Sequence, residues 1–252
     1  MQHLGHPLGD LLESRVRLGH LHPLAELRAR RATLTIEPLT PAALRLSVRF
    51  QRAQYNLASS ERPAALLPGP WPGAPFHVEN TEDAVIVRAG RITVRAGRSP
   101  LRLSYAVEDG APFLSEIAGG GIRHDYWDIG LHFDLPESEA FYGLGEADPG
   151  GRPGATPTPG EPARSRAPLD HRGLRLPIWH WHQPPSRNVQ PMLLSSRGYG
   201  LLVDNPFKAC WDLGATDPAR FSYVADGGRV DLILFVGDTL ADLVQTYTEL
   251  TG

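Results

Sequence analysis

The chain contains one cysteine, Cys210, so an internal disulfide is impossible and a disulfide-stapled scaffold is excluded. Lysine is almost missing as well. Of 25 basic residues only Lys208 is lysine, and the 24 arginines are scattered rather than clustered, as a GC-rich coding bias would leave them. Charge of either sign is not in excess, with 25 basic against 28 acidic residues, which removes the electrostatic footprint of a nucleic-acid or anionic-membrane binder. Met1-Gln2-His3-Leu4-Gly5-His6-Pro7 lacks the basic start and apolar run of a secretory signal. No apolar stretch approaches the ~20 residues of a membrane-spanning helix. A cytoplasmic protein with neither nucleic-acid nor membrane partners is the expectation.

What the chain does have is turn formers and alternation. Twenty-six glycines and 24 prolines among 252 residues fit a fold with many turns. Leu44, Leu46, Val48 and Phe50 alternate with polar residues, and so do Leu101, Leu103, Tyr105 and Val107. This period of two puts one apolar face on a core and one polar face in solvent. Val85 and Val87, then Ile92 and Val94, read as short strands joined by tight turns at Gly90 and Gly97. Further strands are expected near 33–37, 126–134, 191–196, 199–204, 220–224 and 229–236. Strands do not alternate with long helices, so the fold class is mainly β and antiparallel.

Residues 1–31 read as an irregular or short-helical segment, with Leu11-Leu12-Glu13-Ser14 and Leu24-Ala25-Glu26-Leu27-Arg28 as the helical candidates. A sandwich domain is assigned to 32–237. It is interrupted by the Gly/Pro-rich stretch 147–168, expected to be an exposed loop, either a mobile insertion or a functional one. Residues 238–252 are expected to form a helix, with Leu240, Leu243, Val244, Tyr247 and Leu250 on one face, Thr239 and Asp242 as a capping box and Gly252 as its stop.

Several motifs follow in order along the second half. Phe141-Tyr142-Gly143-Leu144-Gly145-Glu146 resembles the Tyr-Gly-Leu-Gly-Glu signature of family 31 glycoside hydrolases, the α-glucosidase family. Leu169-Asp170-His171-Arg172-Gly173 is similar to the segment that follows it there. The run from Pro191 to Asn205, with Arg197-Gly198-Tyr199-Gly200 at its centre, resembles the family's strand-turn-strand. Trp211-Asp212-Leu213-Gly214 and Tyr247-Thr248-Glu249-Leu250-Thr251-Gly252 also fit. Each is weak alone, but together they are specific; residues 1–140 carry no comparable signature. The resemblance implies a galactose-mutarotase-like β-supersandwich with a carboxyl-terminal connector helix, leading toward a (β/α)8 barrel beyond Gly252. It also implies that this part is the non-catalytic amino-terminal domain, which packs on the barrel and lends a loop to the rim of its active site.

Glycoside hydrolysis usually needs two carboxyl groups flanking the scissile bond, and the resemblance places both on the barrel. No residue of this chain is therefore assigned a catalytic role, no cofactor is called for, and the chain alone is expected to be inactive. Trp127-Asp128-Ile129-Gly130 and Trp211-Asp212-Leu213-Gly214 read as structural parts of sandwich strands, and Glu146 as a turn residue. Asp170 and Arg172 are expected to pair locally. Cys210 reads as a small buried hydrophobe.

The richest chemistry lies in Pro177-Ile178-Trp179-His180-Trp181-His182-Gln183. Aromatic rings pack on the apolar faces of sugars, and imidazoles exchange hydrogen bonds with hydroxyls. The resemblance implies a substrate-rim role for Trp179, His180, Trp181 and His182. His180 stands where the family has Asn, and His182 where it has the Asp that reaches the sugar beyond the cleaved bond. That exchange points away from plain α-glucosidase specificity, toward an unusual or negatively charged leaving-group sugar. Two other readings stay open: a metal site on His180 and His182, which share one strand face but lack an evident third ligand, and aromatic residues buried in a core or interface. A free-standing carbohydrate-binding module is the alternative for the whole chain. The expected partner is an α-linked sugar held with an adjoining barrel, and an exposed barrel-facing surface is expected to show a large apolar patch and self-association.

Overall fold

A computed structural model describes residues 5–19, 22–51, 64–125, 127–145, 170–178 and 189–252. The first strands are β1 (His6–Pro7), β2 (Leu11–Leu18), β3 (Pro23–Ala29), β4 (Ala32–Thr40) and β5 (Ala43–Phe50). A meander follows with β6 (Phe76–Asn80), β7 (Ala84–Ala89), β8 (Ile92–Arg98), β9 (Leu101–Val107) and β10 (Pro112–Ser115). Then come β11 (Ile122–His124), β12 (Ile129–Asp134), β13 (Phe141–Gly145), β14 (Arg175–Ile178) and β15 (Val189–Ser195). The chain continues through β16 (Tyr199–Val203), β17 (Ala209–Asp212), β18 (Arg220–Ala225) and β19 (Val230–Val236), and ends in α1 (Leu240–Thr251).

The described strands build three antiparallel sheets. An eight-stranded sheet has the order β13-β15-β16-β19-β5-β4-β3-β2, a six-stranded sheet β1-β11-β12-β18-β17-β14, and a five-stranded sheet β10-β9-β8-β7-β6. The two smaller sheets share one continuous apolar core with the inner face of the large one. Alternation explains why. Leu44, Leu46 and Val48 point inward from β5, while Ala43 and Arg45 point to the outer face. At the centre of the core Trp211 is fully buried against Phe221 and Tyr223, with ring centroids 6.4 and 5.1 Å away.

A second core lies on the outer face of the large sheet. Ala43, Leu194, Leu202, Ile233 and Phe235 are covered there by Leu243 and Leu250 of α1 and by Leu66. The helix has the expected cap: the Asp242 amide donates to Thr239 Oγ1 at 3.2 Å, and the Thr239 amide donates to Asp242 Oδ2 at 2.8 Å. Gly252 ends it, its amide donating to the Thr248 carbonyl. Beside this apolar half, the same outer face holds a buried clasp in which Arg45 forks onto both oxygens of Asp231 at 2.7 Å each.

Two expectations are corrected. Residues 11–18 and 23–29 are strands, not short helices. The Leu-Ala-Glu-Leu-Arg run is rich in helix formers, but β3 pairs on both sides with β2 and β4 and buries Ala25, Leu27 and Ala29 completely. Tertiary pairing outweighs propensity differences of a few tenths of a kcal/mol per residue. Trp127 and Asp128 lie before β12 rather than in it, in a hairpin closed by the Asp125 amide on the Asp128 carbonyl, and Trp127 is half exposed. Asp170 and Arg172 do pair locally, the Arg172 amide donating to Asp170 Oδ1 at 2.9 Å.

Candidate functional site

The signature strand β13 forms one edge of the large sheet and pairs with β15. Its register slips between Gly143 and Gly145, and Gly143, Leu144 and Gly145 all have positive φ, at 94°, 61° and 62°. At Gly143 the glycine is obligatory. A Cβ there would stand 2.5 Å from the Met192 carbonyl oxygen, which belongs to backbone that cannot swing aside. Leu144 accepts the left-handed conformation while fully buried, so its packing holds it in a backbone region that costs about 1 kcal/mol or more.

The motif after the long loop clamps this strand. Asp170 Oδ1 accepts from the amides of both Phe141 and Arg172 at 2.9 Å. The His171 amide donates to the Phe141 carbonyl at 2.8 Å, and its Nε2 lies 3.1 Å from the Gly143 carbonyl. Since a carbonyl only accepts, Nε2 is the donor in this contact, while buried Nδ1 has no partner. The Arg172 guanidinium spreads over the carbonyls of Pro136, Glu139 and Pro218. Asp170 thus holds the turn through its neighbour's backbone, and Arg172 ties that turn to two other loops.

The Arg-Gly-Tyr-Gly turn closes over a carboxylate that sequence reasoning missed. Buried Glu139 Oε1 accepts from Ser195 Oγ at 2.6 Å and from the Tyr199 hydroxyl. Burial pushes the Glu139 carboxyl above the usual carboxylate range, against the pull of these two donors and of Arg197 and Arg172. Nothing in the local sequence marks Glu139, because its partners lie 56 and 60 positions away. Asp212 serves the Trp-Asp-Leu-Gly motif in the same way, accepting from the amides of Ala215 and Thr216 and from the Thr216 hydroxyl. These buried carboxylates hold loops. Cys210 is half-buried, and burial pushes its thiol up, so it is a poor nucleophile.

Trp179, His180, Trp181, His182 and Glu146 lie outside the described residues, as does the stretch 147–168. The strands flanking the aromatic segment are described. β14 runs to Ile178, paired with Ala209 of β17, and β15 begins at Val189, whose partner is Gly145 of the signature. The signature strand and the return from the Trp179–His182 segment therefore meet at one point of the sheet edge. Among the described residues no group of three or more His, Cys, Asp or Glu side chains is placed to hold a metal ion.

Residues 33–150 match the model of the glycosyl hydrolase 31 N-terminal galactose mutarotase-like domain. An α-glucosidase 2 of Bacillus thermoamyloliquefaciens is 27% identical over 187 residues, which cover 69% of this chain and 21% of that protein. An α-xylosidase of Saccharolobus solfataricus is 29% identical over 132 residues, 50% of this chain and 16% of its own length. Among solved structures, a family 31 dextranase of Flavobacterium johnsoniae complexed with glucose shares the fold with a TM-score of 0.79 at 19% identity, over 98% of this chain and 28% of that one. The chain thus corresponds to a fraction of each relative's length. Fold, ordered motifs and family match agree: the chain is similar to the N-terminal galactose mutarotase-like β-domain of glycosyl hydrolase family 31, whose model matches residues 33–150.

Proposed function

We propose that the chain serves as the accessory sandwich of an α-glycoside hydrolase. It supports a catalytic (β/α)8 barrel and lends Trp179, His180, Trp181 and His182 to the rim of the substrate site. The observation that carries this reading is the Gly145–Val189 register pair. It ties the strand returning from the aromatic segment to the signature strand, which Asp170, His171 and Arg172 clamp in turn. A binding loop whose ends sit on rigid, hydrogen-bonded strands loses little entropy when it engages a ligand. The relatives are named for α-glucosides, α-xylosides and dextran, so an α-linked sugar is the substrate class. His182, in place of the family's Asp, sets the expected preference apart from theirs, since imidazole does not offer a fixed carboxylate to two hydroxyls.

The carboxylates of the described core already have structural duties, as Glu139 and Asp231 illustrate, and the paired acid and nucleophile of glycoside hydrolysis are assigned to the barrel. Purified chain incubated with p-nitrophenyl α-glucoside is expected to release no nitrophenol above background. Turnover abolished by a single carboxylate substitution would overturn the accessory role. Saturable binding of α-linked oligosaccharides by the chain alone, lost in Trp181→Ala, would instead mark a free-standing carbohydrate-binding module.

A further inference from the structure

The large sheet ends in two different edges. One is β13, clamped by the Asp170–Arg172 turn. The other is β2, which among the described strands pairs with β3 alone. Of the seven large apolar side chains exposed among the described residues, three lie on this one strand: Leu12 at 54%, Val16 at 55% and Leu18 at 84%. Edge strands normally carry lysine or proline that blocks pairing with another chain. β2, Leu-Leu-Glu-Ser-Arg-Val-Arg-Leu, has neither.

Its charges are sorted by face instead. Arg15 and Arg17 lie with Glu26 on the outer face of the sheet, with Arg17 Nη1 2.8 Å from Glu26 Oε2. Glu13 stands opposite Arg28 on the same face and reaches it only at 3.7 Å. Ser14 and Val16 stand opposite Leu27 and Ala25, so they follow the apolar face. The strand is also self-complementary. In an antiparallel pairing of β2 with a second β2 about a two-fold axis through Arg15, Glu13 faces Arg17 of the other copy twice over. Ser14 then faces Val16, and Arg15 faces Arg15 of the other copy, each guanidinium held by Glu26 of its own chain. Leu12 sits at the register shift and stays outside this ladder. Opposite charges directly across strands stabilise an antiparallel ladder, and an isologous two-fold contact uses the Glu13–Arg17 pair twice.

We infer that β2 is a dimerisation edge, at which two copies of this chain join their eight-stranded sheets in the register that sets Glu13 against Arg17. This surface is separate from the proposed substrate rim, because β2 and β13 lie at opposite ends of the sheet, seven strand spacings or roughly 30 Å apart. The dimer and the accessory-domain reading therefore stand or fall separately.

Sedimentation equilibrium of the 252-residue chain tests the inference. A monomer has a mass of 27.6 kDa, and a species of twice that mass is expected at micromolar concentration. Glu13→Arg and Arg17→Glu are each expected to raise the dimer dissociation constant on the order of tenfold, because each sets like charges across the ladder twice. The double variant Glu13→Arg/Arg17→Glu restores both pairs and is expected to recover dimerisation. Val16→Asp gives a second route, since Val16 is exposed and its replacement leaves the fold intact, checked by an unchanged circular dichroism melt. A wild-type chain that stays monomeric, a dimer indifferent to both single exchanges, or a double variant that fails to recover each overturns the proposal.

Discussion

At the scale of single residues, two buried ionisable groups near the junction of the smaller sheets set opposite demands on pH. Glu116 is almost fully buried, with Oε2 accepting from the amides of Leu103 and Gly121 at 3.1 and 3.0 Å and Oε1 without a partner. Burial raises its pKa to about 7, against the pull of those amides and Arg102. Its native pKa lies above the unfolded value, so the fold prefers the protonated form. Stability from this group is full below about pH 4.5 and is lost as the pH rises toward 7, by roughly 3 kcal/mol. His132 is lowered to about 4 by burial and by Arg123 and Arg220. Its neutral form is preferred, so its contribution is full above about pH 6.5 and is lost as the pH falls toward 4. Glu116→Gln keeps an amide carbonyl for the two backbone donors and removes the ionisation. Denaturant titrations at pH 5 and pH 8 are expected to show the variant gaining on the wild type by about 2–3 kcal/mol at the higher pH. An equal difference at both pH values would remove Glu116 as the titrating group.

Secondary-structure elements show which parts of the fold were legible in the sequence. Strands with strict alternation, such as β5 and β9, were readable because each residue's face is decided locally. The helix was readable from its cap and apolar stripe. Unreadable were β3, where Leu24–Arg28 has helical composition and only its two flanking strands decide, and Glu139, whose donors arrive from distant turns. The motifs of the candidate site were readable as a resemblance and the local Asp170–Arg172 pairing was expected, but their long-range contacts, Asp170 to Phe141 and Arg172 to the carbonyls of Pro136, Glu139 and Pro218, were not. For α1, Thr239→Ala removes a side-chain acceptor at the helix start and is expected to cost about 1 kcal/mol. Leu243→Ala opens a cavity in the second core and is expected to cost about 2–5 kcal/mol. Chemical denaturation of both variants gives the check, and a cap loss larger than the cavity loss would contradict the account of what holds α1.

For the molecule as a whole, the clasp between Arg45 and Asp231 joins positions 186 apart in sequence, and the central pairing of β5 with β19 has the same reach. This sets an order of events at synthesis. β2, β3, β4 and β5 are made well before β19, so β5 gains its second neighbour only when residues 230–236 emerge. Until then its outer edge stays open and Arg45 lacks the Asp231 carboxylate. Sheets closed by contacts so distant fold slowly and are prone to association while incomplete. A chain ended before Val230 is therefore expected to accumulate as aggregate when expressed, whereas the 252-residue chain keeps every strand and the helix that covers the second core. Comparing the soluble fractions of the two decides the matter, and equal solubility would show that the early strands can wait unaided. The last strand of the sandwich to be made thus sits in its middle, and the chain's earliest residues depend on its latest for shelter.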